Sequence, residues 1–347
     1  MPLQMKKHLL LVLTAATLFA CSQNEENPTP DISHIQVPFK LRRFEQAFFN
    51  LDTANIEHEL AQLEQEYGEF AEVFFQQVIP AKNPHLVPEG PATYLKGFIT
   101  HPQIRHLYDT CEVVYADFSA QEKAFKQAFR YLKYYFPELP TPDVTTYVSG
   151  YSIGSFIYAK QSLAVGLDFF LGSSYPYQKY NPQNPNFSQY LTRSFTPDHL
   201  VLKTLIPLAS DLSGPIPGDR LLDHIVHTGK QMYILNRLLP ELPDSILFEV
   251  SDEQATWLRD NERDIWAFFL SEDFLYSSDW QKIRKYVEYS PNSPGMPAEA
   301  PGRTGTWLGW HIVRSYMRQY PETTMKQLLE ITDSQKFLQL SRYKPPR

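Results

Sequence analysis

The sequence predicts an α+β protein that is mostly α, a helical domain with a small antiparallel sheet. Three observations carry this expectation. Apolar residues recur at helical spacing along much of the chain. Helix-start signals of the Ser/Thr-x-x-Glu/Gln kind open several of those runs. One stretch, residues 144–169, is instead built of short runs rich in Val, Ile, Tyr and Phe.

The elements follow in chain order. Ile56, Leu60, Leu63, Tyr67, Phe70 and Phe74 recur every three or four residues, which makes one helix face, with Asp52 or Thr53 as N-cap. Ser119 and Glu122 read as a capping box for a helix to Phe136, stopped by Pro137 and Pro140. Residues 144–148, 155–159 and 162–169 predict a three-strand antiparallel meander, and 172–195 a long loop rich in Tyr, Pro and Asn. Thr196-Pro197-Asp198 opens a helix to Ser210, and a second spans Asp219–Leu239 and stops at Pro240. A capping box at Ser251–Gln254 starts a helix to Leu270. Residues 291–301 are a Pro-rich loop, Gly305–Gln319 a helix, and Thr332-Asp333-Ser334-Gln335 the cap of a last short one. No internal repeat or low-complexity linker follows residue 40, so 38–347 is expected to be a single domain.

The first 20 residues read as a signal peptide. Lys6 and Lys7 precede an apolar run, Leu9–Ala20, far shorter than the roughly 20 residues that span a bilayer. The run ends Leu18-Phe19-Ala20-Cys21, which resembles the bacterial lipobox and implies lipidation of Cys21. Residues 21–37, with Glu25, Glu26, Pro28 and Pro30, read as the lipidated tether. The membrane is thus an expected partner, through lipid at Cys21. Cys111 is then the one body cysteine, expected to be a small buried apolar residue.

Composition narrows the function classes. A net charge of −7 argues against nucleic-acid binding, and 2 cysteines exclude both a disulfide scaffold and a Cys-rich zinc module. The chain has no H-E-x-x-H, Walker, G-x-S-x-G, EF-hand or G-x-G-x-x-G motif. His224 and His227, beside Asp223, are the densest ligand-like cluster, but they stand at the border of a helix stripe formed by Leu221, Ile225, Met232 and Leu239. A solvated helix edge explains them better than a metal. The stretch 301–316 holds more. On a helix Trp307, Trp310 and Arg314 share a face, Arg can stack on Trp, and Gly305 and Gly309 permit close backbone approach. That motif, with Arg303 and Tyr316, reads either as a packed core helix or as a binding groove.

Several blocks together resemble the gliding-motility lipoprotein GldB family of Bacteroidetes. They are the lipobox at Cys21; Arg43-Phe44-Glu45; Lys133-Tyr134-Tyr135-Phe136-Pro137; and Leu167 to Gly172. Thr228 to Tyr233, Asn261-Glu262 with Ile265-Trp266, and Pro301 to Met317 complete the set. The resemblance implies a lipid-anchored protein of the cell envelope, at the outer membrane, serving gliding and the type IX secretion machinery. Its implied partners are other envelope proteins of those systems. The family in turn looks distantly like zinc peptidases, which implies a degenerate zincin-like fold. His199, Leu200 and Lys203 stand where His, Glu and His would be, so a pseudoenzyme with no cofactor and no catalytic residues is expected. Two alternatives remain. One is a zinc-dependent hydrolase using His224, His227 and an acid from elsewhere. The other is a surface glycan or peptide binder using Tyr175, Tyr177 and Tyr180 with Trp307 and Trp310.

Overall fold

The computed structural model describes residues 29–346, apart from positions 181 and 272. The signal peptide, Cys21 and the first part of the expected tether lie outside the described residues. Within the rest of that tether, Ile32 and Val37 are buried against the body.

The sheet has four strands in the order β1-β2-β4-β3: β1 (Leu41–Arg43), β2 (Val144–Tyr147), β3 (Ser155–Tyr158) and β4 (Ser162–Gly166). β1 and β4 both run parallel to β2, and β3 pairs antiparallel with β4. The expected antiparallel meander is therefore corrected to a mixed sheet. The β3–β4 hairpin forms as expected, closed through Ala159 and Gln161 with φ of 49° and 72°. The link from β2, however, carries the chain past the neighbouring position, so β3 becomes the edge and β4 lies beside β2. β2 is buried along its whole length. Parallel strands covered on both faces show no polar alternation to betray them.

Helices surround this sheet. The first half supplies α1 (Phe44–Phe49), α2 (Ile56–Tyr67), α3 (Glu69–Val73), α4 (Pro91–Thr100), α5 (Pro102–Val114) and α6 (Ser119–Tyr135). The helix expected from Ile56 breaks at Gly68 (φ 51°) and ends in a π-turn, Phe74–Val78. Asp52 does not cap it; its Oδ1 accepts the Ala54 N–H in a local turn. α6 likewise lacks its expected capping box, because Ser119 already lies inside the helix and donates its N–H to Asp117 Oδ1. Phe44, Phe48, Phe70, Phe74 and Tyr147 form an aromatic core with ring centroids 4.8–6.0 Å apart, mostly edge to face.

The second half supplies α7 (Leu200–Ser213), α8 (Leu221–Leu238), α9 (Asp252–Asp260), α10 (Glu262–Ser271), α11 (Thr304–Gln319), α12 (Met325–Glu330) and α13 (Ser334–Ser341). The Ser251–Gln254 capping box forms. The helix it opens ends at Asp260, where Asn261 turns the chain into α10. Asp333 caps α13 as expected, and Thr324 with Gln327 caps the unexpected α12. The expected 172–195 loop contains single helical turns at Tyr177–Tyr180 and Gln189–Thr192.

α8 and α11 cross in close contact. A Cβ on Gly309 would lie 2.0 Å from the Ile225 carbonyl oxygen, and one on Gly229 would lie 2.3 Å from the Gly309 carbonyl carbon. The two backbones touch there, so each position needs glycine. This is the close approach that Gly309 predicts from sequence, completed by a glycine on the partner helix.

Candidate functional site

The α8–α11 crossing sets the position of a cavity of about 390 Å³ between α7, α8 and the segments that lead into α9 and α11. Its walls are mostly apolar: Ile206, Ala209, Met232, Leu235, Leu247 and Val287. Thr228, Gln231 and Thr306 add neutral polar groups, and Glu288 a carboxylate. Glu249, Tyr289 and Arg303 line the remaining wall.

Those three residues meet Lys203 of α7 in one cluster. Glu249 is 5% exposed and follows the helical turn Asp244–Leu247 in the left-handed conformation, φ 56°. Arg303 also has a left-handed φ, 64°, and its carbonyl accepts the Trp307 N–H to start α11. Such conformations cost a non-glycine residue of order 1–3 kcal/mol each and gather at ligand clamps. Here they aim two opposite charges at each other. Glu249 pairs with Lys203, stands 3.5 Å from Arg303 Nη1, and accepts the Tyr289 hydroxyl proton at Oε1. Lys203 Nζ is also 3.2 Å from the Tyr289 oxygen, and Arg303 lies 4.6 Å above the Tyr289 ring.

Burial alone would raise the pKa of Glu249, but Lys203 and Arg303 pull it down to about 2. Burial disfavours the Lys203 ammonium, yet Glu249 and Tyr289 more than offset this and hold its pKa above the ordinary value. His199, at the start of α7, is buried and shares a 2.8 Å hydrogen bond with Thr196 Oγ1. Burial lowers its pKa to about 4, so it is neutral at pH 7. Arg193 lies within electrostatic reach of Glu249 and Arg303, and its Nη1 donates to Gln254 Oε1 at 2.7 Å.

The other sequence candidates scatter from this cluster into packing roles. Trp307 and Trp310 are buried, 1% and 4% exposed, against Phe248. They therefore offer no surface on which a sugar could stack. Arg314 lies 4.2 Å over the Trp310 ring, the expected cation–π pair, and burial lowers its pKa to about 10. Tyr316 stacks on Phe337 at 4.5 Å. Tyr177 is buried and its oxygen accepts the Leu171 N–H, while Tyr175 bonds to Tyr151 through their hydroxyls. Tyr180 is exposed and stacks on Tyr175.

His224 packs on the Trp280 ring at 4.7 Å, and His227 sits 3.1 Å from the Gln231 amide. His227 is buried, not at a solvated edge, and burial lowers its pKa to about 4. Asp223 caps α8 and pairs with Arg220. Among the described residues, no group of three or more His, Cys, Asp or Glu gathers that could hold a metal ion. A zinc ion also does not fit the position the peptidase likeness implies. There an ammonium, Lys203, already neutralises the carboxylate of Glu249.

Glu249, Lys203 and Tyr289 were not singled out as a site in the sequence. The available signal was Glu249 itself, a lone acid in the apolar run Ile246 to Val250. A charge in such a run is buried, and a buried charge needs a partner.

Fold and site together define a mostly helical α+β protein built around one small mixed sheet, with an ion cluster at a cavity. Residues 25–345 match the family of gliding motility protein GldB, and the chain belongs to that family. It is a family of lipoproteins, which implies a lipid-anchored place in the cell envelope. No helix among the described residues is long and apolar enough to cross a membrane. No curated protein matches the chain, and no solved structure does.

Proposed function

We propose that this GldB-family chain is a non-catalytic lipoprotein of the outer membrane, held by lipid on Cys21. It supports gliding motility and the type IX secretion machinery by contacts with other envelope proteins. The observation that carries this reading is the family match across residues 25–345, nearly all of the chain outside the signal peptide. A continuous core from Ile32 to Tyr343 supports the reading of residues 38–347 as one domain. The non-catalytic part rests on Lys203. In a degenerate zincin-like fold it would occupy a ligand position with a fixed positive charge, which repels a metal cation.

Deletion of the gene in its host tests the role. Loss of colony spreading and of secreted adhesin is expected, restored by the wild-type gene but not by Cys21→Ser. A deletion strain that spreads and secretes normally would contradict the proposal. Metal content of the purified protein tests the other half: about one zinc per chain, with a melt that falls on chelation, would point to hydrolysis instead.

A further inference from the structure

The cavity beside Arg303 is of ligand size. Its 390 Å³ lies within the roughly 300–1,000 Å³ usual for small-molecule sites. Its polar end is unevenly charged. Lys203 and Arg303 both face Glu249, Arg193 lies within electrostatic reach, and Glu288 also lines the space, so three cations stand against two carboxylates. At that end the buried Arg303 Nη1 makes no hydrogen bond and has only its ion pair with Glu249 at 3.5 Å. A buried guanidinium without its full set of acceptors carries a desolvation cost that an added anion relieves. The rest of the wall, with Ile206, Met232, Leu235 and Leu247, suits an aliphatic or aromatic group.

We infer that this cavity binds a carboxylate attached to an apolar group, with the carboxylate on Arg303 and the apolar part between α7 and α8. The planar guanidinium matches a carboxylate. A dianion is less suited, since Glu249 and Glu288 both line the same space. A free small acid and the C-terminal residue of a peptide share this chemistry. The assignment concerns ligand chemistry and holds whichever envelope process the chain serves.

The test uses the mature lipidated chain in detergent micelles, titrated with three probes and followed by calorimetry. The probes are acetyl-Gly-Gly-Phe with a free C terminus, its C-terminal amide, and 3-phenylpropionate. The free acid should bind about tenfold or more tightly than the amide, and Arg303→Gln should abolish that preference. Ala209→Phe, which fills the cavity, should abolish binding of the acid. A peptide acid that outbinds 3-phenylpropionate assigns the site to a peptide C terminus; equal affinity assigns it to small acids. The inference is overturned if acid and amide bind equally, or if neither acid binds the folded wild type in the millimolar range. The acid–amide comparison on the wild type decides even where a variant fails to fold.

Discussion

Asp168 and Glu249 are both buried carboxylates, and the protein treats them in opposite ways. Asp168 sits just after β4 and accepts the N–H groups of Ser149 and Tyr151, at 3.1 and 2.7 Å, and the Ser149 hydroxyl. These donors are neutral. Burial outweighs them and raises its pKa to about 6. Glu249 instead faces Lys203 and Arg303, and its pKa falls to about 2. The contrast separates two uses of a buried acid. Neutral donors spend the carboxylate on fixing a loop, here the link from β2 to β3. Charged partners keep it ionised and, in turn, hold two cations at the edge of a cavity.

The most severe way to break this contrast is Glu249→Leu. It leaves the partly buried Lys203 and Arg303 without their counter-charge, and a loss of about 3 kcal/mol in urea unfolding is expected. A loss comparable to an ordinary surface substitution would show that the cluster is not a buried ion network.

Acid dependence sharpens the same comparison with opposite signs. Asp168 binds its proton more tightly in the folded state than in the unfolded one, where its pKa is 3.8. Its contribution is full below pH 3.8 and is lost as pH rises through about 6, a change of roughly 3 kcal/mol. Asp168→Asn should remove that slope from the stability–pH profile. Glu249 behaves inversely. Its contribution is full above pH 4.5 and is lost as pH falls toward 2. Glu249→Gln should flatten only that acidic limb. The same slope in both variants would contradict the assignment.

Gly309→Ala probes whether the cavity depends on the α8–α11 crossing. The added methyl meets the Ile225 carbonyl, so the helices must separate, at a cost of roughly 2–3 kcal/mol by chemical denaturation. NMR shift changes should spread to Met232 and Arg303 while those of Ser149 and Tyr151 stay put. The smallest effect is expected from Gln254→Ala. Gln254 completes the α9 capping box and accepts from Arg193, so about 1 kcal/mol should be lost in thermal unfolding.

Local signals were legible in the sequence where the local rule decided the outcome. The Ser251 cap, the α11 helix and the Arg314–Trp310 stack all follow from spacing within a few residues. The capping box at Ser119 fails because a competing local bond, Ser119 N–H to Asp117, starts the helix at that serine. The parallel pairing of β1 with β2 was not legible. β1 is the three-residue segment Leu41-Arg42-Arg43, and its partner lies more than 100 residues away. The candidate site was half legible. Arg303 stood out within a block of glycines and tryptophans, and Lys203 as the residue at a lost ligand position, whereas Tyr289 and the pairing of both with Glu249 emerge only from the fold.

The most direct test of the central contrast is a side-chain carboxyl NMR titration of the mature protein labelled at Asp and Glu, with Asp168→Asn and Glu249→Gln used to assign the two signals. Asp168 is expected to titrate near 6 and Glu249 near 2. Two midpoints together in the ordinary range near 4, or in the reverse order, would contradict the account.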